Sequence, residues 1–211
     1  MKIRAVIWDL GGVLLRTEDP TPRGRLAERF GMSAHELEKL FYGGSSGTRC
    51  QLGEITFEQH IQNVRGELNL SPDEMDSVID QFWAGDRLDQ DLVNYIRNLH
   101  DRHRTGLLSN AFSDLRDWLK QQGEVGGVFD ELVISAEVGI VKPDPRIYHL
   151  ALDQLKVAPE EAVFIDDFAR NIEGAMAVGM HAIKFINPDQ TRSELEELLY
   201  KGTNPFKQPE N

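Results

Sequence analysis

The first apolar run of the chain, Ala5-Val6-Ile7-Trp8, stops abruptly at Asp9, and Gly11 and Gly12 follow at once. A short β-rich run of this kind, closed by glycines, reads as a buried strand emptying into a loop. No second strand-like run appears until Thr105-Gly106-Leu107-Leu108. Three more then follow: Leu132-Val133-Ile134, Ala162-Val163-Phe164-Ile165 and His181-Ala182-Ile183-Lys184-Phe185. Helical patterns separate them, near 113–122, 145–155, 169–178 and 191–200. Alternating strand and helix implies an α/β fold with a parallel sheet covered on both faces. The first strand can be buried only by rejoining the later ones. The chain must therefore leave the sheet after Asp9, build something else, and return.

What it builds is helical. Three capping boxes mark helix starts: Ser33 with Glu36, Thr56 with Gln59, and Ser71 with Glu74, the last with Pro72 at the first helical position. No strand is expected from Thr17 to Ala84. Gly43-Gly44-Ser45-Ser46-Gly47 lacks the Gly-Lys-Ser/Thr ending of a phosphate-cradling loop and reads as a flexible connection between helices. Leu92, Tyr95, Ile96 and Leu99 then recur at helical spacing. Thr191 reads as the opening of the last helix, and the polar tail Gly202–Asn211 as frayed. The resulting division is a core of residues 1–16 and 88–211, with a helical insertion of 17–87.

Composition narrows the partners. The 211 residues carry 35 acidic and 23 basic side chains, a net charge of −12. That balance speaks against nucleic acid or an anionic membrane held by bulk charge. The single cysteine, Cys50, excludes an intramolecular disulfide and any multi-cysteine zinc site and fits a reducing, cytoplasmic setting. The six histidines show no metal-ligand spacing. No apolar run reaches the ~20 residues of a membrane span. Asp9 breaks the only stretch that resembles a signal peptide.

In an open parallel sheet, ligands bind beyond the carboxyl ends of the strands. Asp9 follows the first predicted strand, Ser109 and Asn110 the second, and Asp166 and Asp167 the fourth. Lys142 lies in the loop Gly139-Ile140-Val141-Lys142-Pro143-Asp144. Singly, each is ordinary turn or cap chemistry. Two adjacent aspartates ending a buried strand repel one another and call for a cation. Together the residues make a coherent site. Asp9 and one of Asp166 or Asp167 could share Mg²⁺ with the backbone carbonyl of Gly11. Asp9 would attack phosphorus, and Ser109, the Asn110 amide and Lys142 would hold the phosphoryl oxygens.

These motifs resemble the haloacid dehalogenase-like hydrolase superfamily. The matching residues are Trp8-Asp9-Leu10-Gly11-Gly12-Val13-Leu14, Leu108-Ser109-Asn110, Val141-Lys142-Pro143-Asp144, and Phe164-Ile165-Asp166-Asp167 continuing through Asn171 and Gly174 to Gly179. The likeness is nearest to the helical-cap subgroup of sugar-phosphate phosphatases and the phosphatase-like domain of soluble epoxide hydrolases. It implies a Rossmann-like core, Mg²⁺, an aspartate nucleophile and a helical cap that selects the substrate. It also implies Asp167 as a direct metal ligand, Asp166 as a ligand direct or through water, and structural roles for Asn171 and Gly174.

The sequence departs from the family's phosphatases at one position. Their second aspartate, the general acid/base two residues after the nucleophile, is Gly11 here. General acid catalysis is worth ~10²–10⁴-fold. The reading is a Mg²⁺-dependent phosphatase of a small phosphorylated metabolite such as a sugar phosphate, with no obligate partner protein implied. The alternatives are a metal-independent 2-haloacid dehalogenase, disfavoured by the paired aspartates, and a non-catalytic binding protein on the same fold. Arg16, Thr17, Tyr42 and Arg49 are the candidates for contact with the leaving group, and Cys50 reads as incidental.

Overall fold

The computed structural model describes residues 2–201, and the tail beyond Lys201 lies outside them. Five strands form one wholly parallel sheet: β1 (Ala5–Trp8), β4 (Arg104–Ser109), β5 (Glu131–Ile134), β6 (Ala162–Asp166) and β7 (His181–Lys184), in the order β5-β4-β1-β6-β7. β1 does rejoin the later strands, and at the centre: Trp8 is in register with Leu107 on one side and Ile165 on the other. All four residues of β1 are buried.

The two-residue period of the strands sorts them between two cores. Val6, Trp8, Val163 and Ile165 pack on one face against Leu92 and Ile96 of α6 (Gln90–His100), Leu115 and Leu119 of α7 (Leu115–Gln121), and Leu195 of α11 (Pro188–Lys201). Ala5, Ile7, Ala162 and Phe164 pack on the other. Their partners are Ile147, Tyr148 and Leu152 of α9 (Pro145–Leu155) and Ala175 of α10 (Ala169–Ala177). The result is the three-layer, Rossmann-like α/β fold.

Between β1 and α6 the chain forms five helices: α1 (Thr21–Arg29), α2 (Ala34–Tyr42), α3 (Gly44–Gln51), α4 (Phe57–Leu68) and α5 (Pro72–Trp83). All three capping boxes are present, at Ser33, Thr56 and Ser71. The helices share a core of their own, in which Leu37, Phe41, Val64, Val78 and Phe82 are buried. Phe41 and Phe82 stack with ring centroids 3.9 Å apart.

Three local expectations fail. Gly44 opens α3 where a flexible connection is expected. Packing overrides glycine's poor helix propensity here: Gly47 lies so close to the Tyr42 backbone that a Cβ would sit 3.0 Å from its carbonyl carbon, and Ser46 bonds buried His60 at 2.9 Å. The last helix opens at Pro188, and Thr191 is a buried residue inside it. A two-stranded antiparallel ribbon, β2 (Leu15–Thr17) with β3 (Asp86–Leu88), carries the chain into and out of the helices. Three-residue strands leave no readable alternation. Arg16 ties the ribbon's base to Asp89 at 2.7 Å. Buried Arg23 links α1 to Asp86 at 3.0 Å while lying 4.2 Å from the centre of the Phe82 ring. Among the described residues, no helix is long and apolar enough to cross a membrane.

Phe41 has no exposed surface and fills the centre of the helical insert. Phe41→Ala is expected to cost about 3–5 kcal/mol of stability, read as a lowered midpoint in urea denaturation. An unchanged midpoint would show that this core does not hold the insert.

Candidate active site

β4, β1 and β6 lie side by side, so Ser109, Asp9 and Asp166 emerge together at one rim of the sheet. Asp9 is held at the end of β1 by its amide, which donates to the Ile165 carbonyl at 2.9 Å. Its side chain is only 8% exposed.

Lys142 organises the rim. The side chain is 1% exposed, and its ammonium donates to the Leu108 carbonyl at 2.9 Å and lies 2.8 Å from Asp9 Oδ1 and 2.7 Å from Asp166 Oδ2. Those three contacts use the three donors of an ammonium. The Asn110 side chain fixes the lysine's backbone from both sides. Its Nδ2 donates to the Lys142 carbonyl at 3.0 Å, and its Oδ1 accepts from the Lys142 amide at 2.7 Å. Asn110 thus spends its side chain on Lys142, a positioning role that a reading confined to its backbone amide missed.

The two adjacent aspartates differ sharply. Asp166 is fully buried and accepts from Lys142, from the Phe168 amide at 2.7 Å, and from Asn171 Nδ2 at 3.0 Å on each oxygen. Its lone pairs are largely committed to the protein. Asp167 is half-buried, and its Oδ1 is a buried acceptor with no partner. Asn171 is therefore the residue that anchors Asp166. Gly174 is a close-packing residue, where a Cβ would sit 2.9 Å from Tyr148 Oη.

Carboxylate oxygens of Asp9, Asp166 and Asp167 lie within 4.8 Å of one another. When all three carboxylates are ionised they exceed the one lysine in contact with them by two negative charges, in a largely dehydrated site. One divalent cation would neutralise them, and the orphaned oxygen of Asp167 is a ligand without other employment. The backbone is shaped to admit that oxygen. Gly12 has φ +78°, and a Cβ there would collide with the Asp167 carboxylate. At Gly11 the opposite holds, with no atom within 4 Å of an added Cβ.

Burial raises the Asp9 carboxyl to about 7, reinforced by the Asp166 charge and opposed by Lys142. Asp167 is raised for the same first reason, with Asp166 again adding to it. The remaining sequence candidates are occupied elsewhere. Arg16 pairs with Asp89, Thr17 bonds Asp86, Arg49 pairs with Glu54, and Tyr42 accepts from the Trp83 indole. Burial pushes the Cys50 thiol up to about 11, which removes it as a nucleophile at neutral pH.

The model for haloacid dehalogenase-like hydrolases matches residues 3–179. The chain belongs to that family. It is 28% identical to bifunctional epoxide hydrolase 2 of Sus scrofa over 94% of this chain and 39% of that protein. It is 31% identical to acyl-CoA dehydrogenase family member 10 of Mus musculus over 93% of this chain and 19% of that protein. The chain thus spans well under half of either relative. A phosphatase of Mycobacterium tuberculosis is 25% identical over 91% of each chain. Among solved structures, a HAD family enzyme of Bacteroides thetaiotaomicron, in complex with magnesium and inorganic phosphate, superposes with a TM-score of 0.72. It shares 19% identity over 86% of this chain and 93% of that one, a likeness of fold.

Two outcomes test the site. Below about pH 7 Asp9 holds a proton that a metal must displace, and above it the carboxylate is free. Mg²⁺ affinity measured by calorimetry should therefore rise from about pH 6 to about pH 8 and level off. Affinity that falls over that range would contradict the assignment. Gly12→Ala should weaken Mg²⁺ binding at least tenfold, because its Cβ displaces the Asp167 carboxylate, and should also lower stability, because φ +78° strains an L side chain; unchanged Mg²⁺ affinity in a folded variant would contradict the assignment of Asp167.

Proposed function

We propose that this chain is a Mg²⁺-dependent phosphatase of a small phosphorylated metabolite, with a sugar phosphate as one candidate, working through a phosphorylated Asp9. The observation that carries the reading is the excess of the Asp9, Asp166 and Asp167 carboxylates over the single Lys142 ammonium, with one Asp167 oxygen unpartnered. Asp9, Asp167 and the Gly11 carbonyl would hold the ion, with Asp166 fixed behind them. Bound there, Mg²⁺ offsets the repulsion between Asp9 and an anionic phosphoryl group.

The chain's own residues do the rest. An Asp9 oxygen attacks phosphorus, the P–O bond to the leaving group breaks, and the leaving oxygen takes a proton from water. A water then attacks the same phosphorus, which releases inorganic phosphate and restores the Asp9 carboxylate. The Ser109 hydroxyl and the Asn110 amide bind phosphoryl oxygens. Lys142 holds Asp9 in line and exchanges that contact for a phosphoryl oxygen as charge passes to the substrate. The insert, 17–87, closes over the rim on the β2–β3 ribbon. A metabolite as partner, neither nucleic acid nor membrane, and a cytoplasmic setting complete the reading.

A metal-independent dehalogenase has no use for two unneutralised carboxylate charges, which ranks that alternative second. Phosphate release from an aryl phosphate and a metabolite panel should require Mg²⁺ and be lost in Asp9→Asn. Halide release from a 2-haloacid in chelator, without phosphate release, would overturn the proposal.

Gly11 makes a sharper forecast. The space beside it accepts a side chain, so Gly11→Asp would supply the absent acid. Turnover of an alkyl phosphate should rise by roughly 10²-fold. An aryl phosphate, whose leaving group needs little protonation, should gain much less. Equal gains would show that leaving-group protonation does not limit this enzyme.

A further inference from the structure

The opposite rim of the sheet has a different character. Beyond the amino ends of β1 and β4 lies a cavity of about 400 Å³ whose lining includes Lys2, Arg4, Arg102 and Arg104. One carboxylate, Asp130, faces them, and it is already engaged by Arg104 at 2.6 Å and by the Thr105 amide at 2.8 Å. Arg4 pairs at 2.9 Å with Glu161, outside the cavity lining. Lys2 and Arg102 have no carboxylate partner among the described residues. Asp101 and Glu196 line the adjoining groove, and neither forms an ion pair with them there.

A concentration of cations is the more telling in a chain of net charge −12, where scattered acids could have neutralised it at little cost. With Arg4 paired to Glu161 and Arg104 to Asp130, Lys2 and Arg102 remain as two unpaired positive charges around one concavity. His103 sits among them with its Nδ1 buried and unpartnered, and burial first, then the charges of Lys2 and Arg102, disfavour its protonation. Like charges held together without a counter-charge raise the free energy of the folded state, and a bound anion relieves it. The volume falls within the range of small-molecule sites. A nucleic acid or an anionic membrane would also meet the wider surface of a chain of net charge −12, which a small anion avoids.

We propose that this cavity binds a small multivalent anion carrying two or more phosphate groups, at a site separate from the catalytic rim. The same two strands join the sites. Arg4 is five residues from Asp9 along β1, and Arg104 five from Ser109 along β4, roughly 16 Å in each case. Arg102, beside the start of β4, has a guanidinium suited to forked contacts with phosphate oxygens.

The test is calorimetry of the full chain with tripolyphosphate in the presence of a chelator. Without a divalent ion the catalytic rim is net negative and repels anions, so the titration reads the cavity alone, whether or not the chain is a phosphatase. One tripolyphosphate should bind per chain, about tenfold or more tighter than sulfate at matched ionic strength. Arg102→Glu should weaken it by about tenfold or more, and Arg102→Gln by less. Arg65→Glu on the helical insert makes the same change in net charge and should leave binding intact. Hydrolysis of an aryl phosphate with Mg²⁺ and no polyphosphate should be equal in Arg102→Gln and wild type. Equal tripolyphosphate affinity in wild type and Arg102→Glu, no preference over sulfate, or an equal loss in Arg65→Glu would each overturn the proposal.

Discussion

The ammonium of Lys142, locked between two buried carboxylates, holds the catalytic rim together. It joins the ends of three strands at one point: Asp9 after β1, the Leu108 carbonyl in β4, and Asp166 in β6. Breaking a buried ion pair by deleting one partner typically costs ~3–5 kcal/mol, because the other charge is left uncompensated. The surrounding structure over-determines the arrangement. Asn110 grips the lysine's backbone, and Asn171 and the Phe168 amide grip Asp166. Asp9 is thereby held in place before any ligand arrives.

The same lysine explains why the site still asks for a metal. One positive charge cannot balance three carboxylates, and burial makes the shortfall costly. The protein distributes the two consequences to different residues. Asp166 is saturated with hydrogen bonds and serves as scaffold, whereas Asp167 keeps a bare oxygen, the one proposed as a ligand. Gly12 lets that oxygen approach, and Gly11 leaves space where phosphatases of this pattern place an acid. The overall charge of −12, which discourages an anionic ligand when spread evenly, is beside the point at this rim. A cation bound by a few of those acids would reverse the local sign.

Much of this was legible from sequence because it rests on one rule, that chemistry gathers at the carboxyl ends of parallel strands. Asp9, Ser109, Asn110, Asp166 and Asp167 all follow short apolar runs, and those runs are strands. What could not be read depends on contacts between distant segments. The division of labour between Asp166 and Asp167 requires Asn171 and Lys142 to be in place. The Asn110 side chain is recruited by a loop thirty-two residues later. The helix from Gly44 forms against its glycine-rich composition because Gly47 packs on the Tyr42 backbone and His60 reaches Ser46. The β2–β3 ribbon is too short for a periodicity. Gly11 was legible as an absence, yet only the structure shows that the space beside it is open.

The central claim is that Asp9, held by Lys142 beside a divalent-cation site, takes the phosphoryl group. Rapid acid quench during turnover of an aryl phosphate with Mg²⁺, followed by peptide mass mapping, addresses it directly. The account predicts the added mass of one phosphoryl group on the peptide that carries Asp9, absent when Mg²⁺ is chelated. Steady turnover with no phosphorylated peptide, or with the group on another residue, would contradict it.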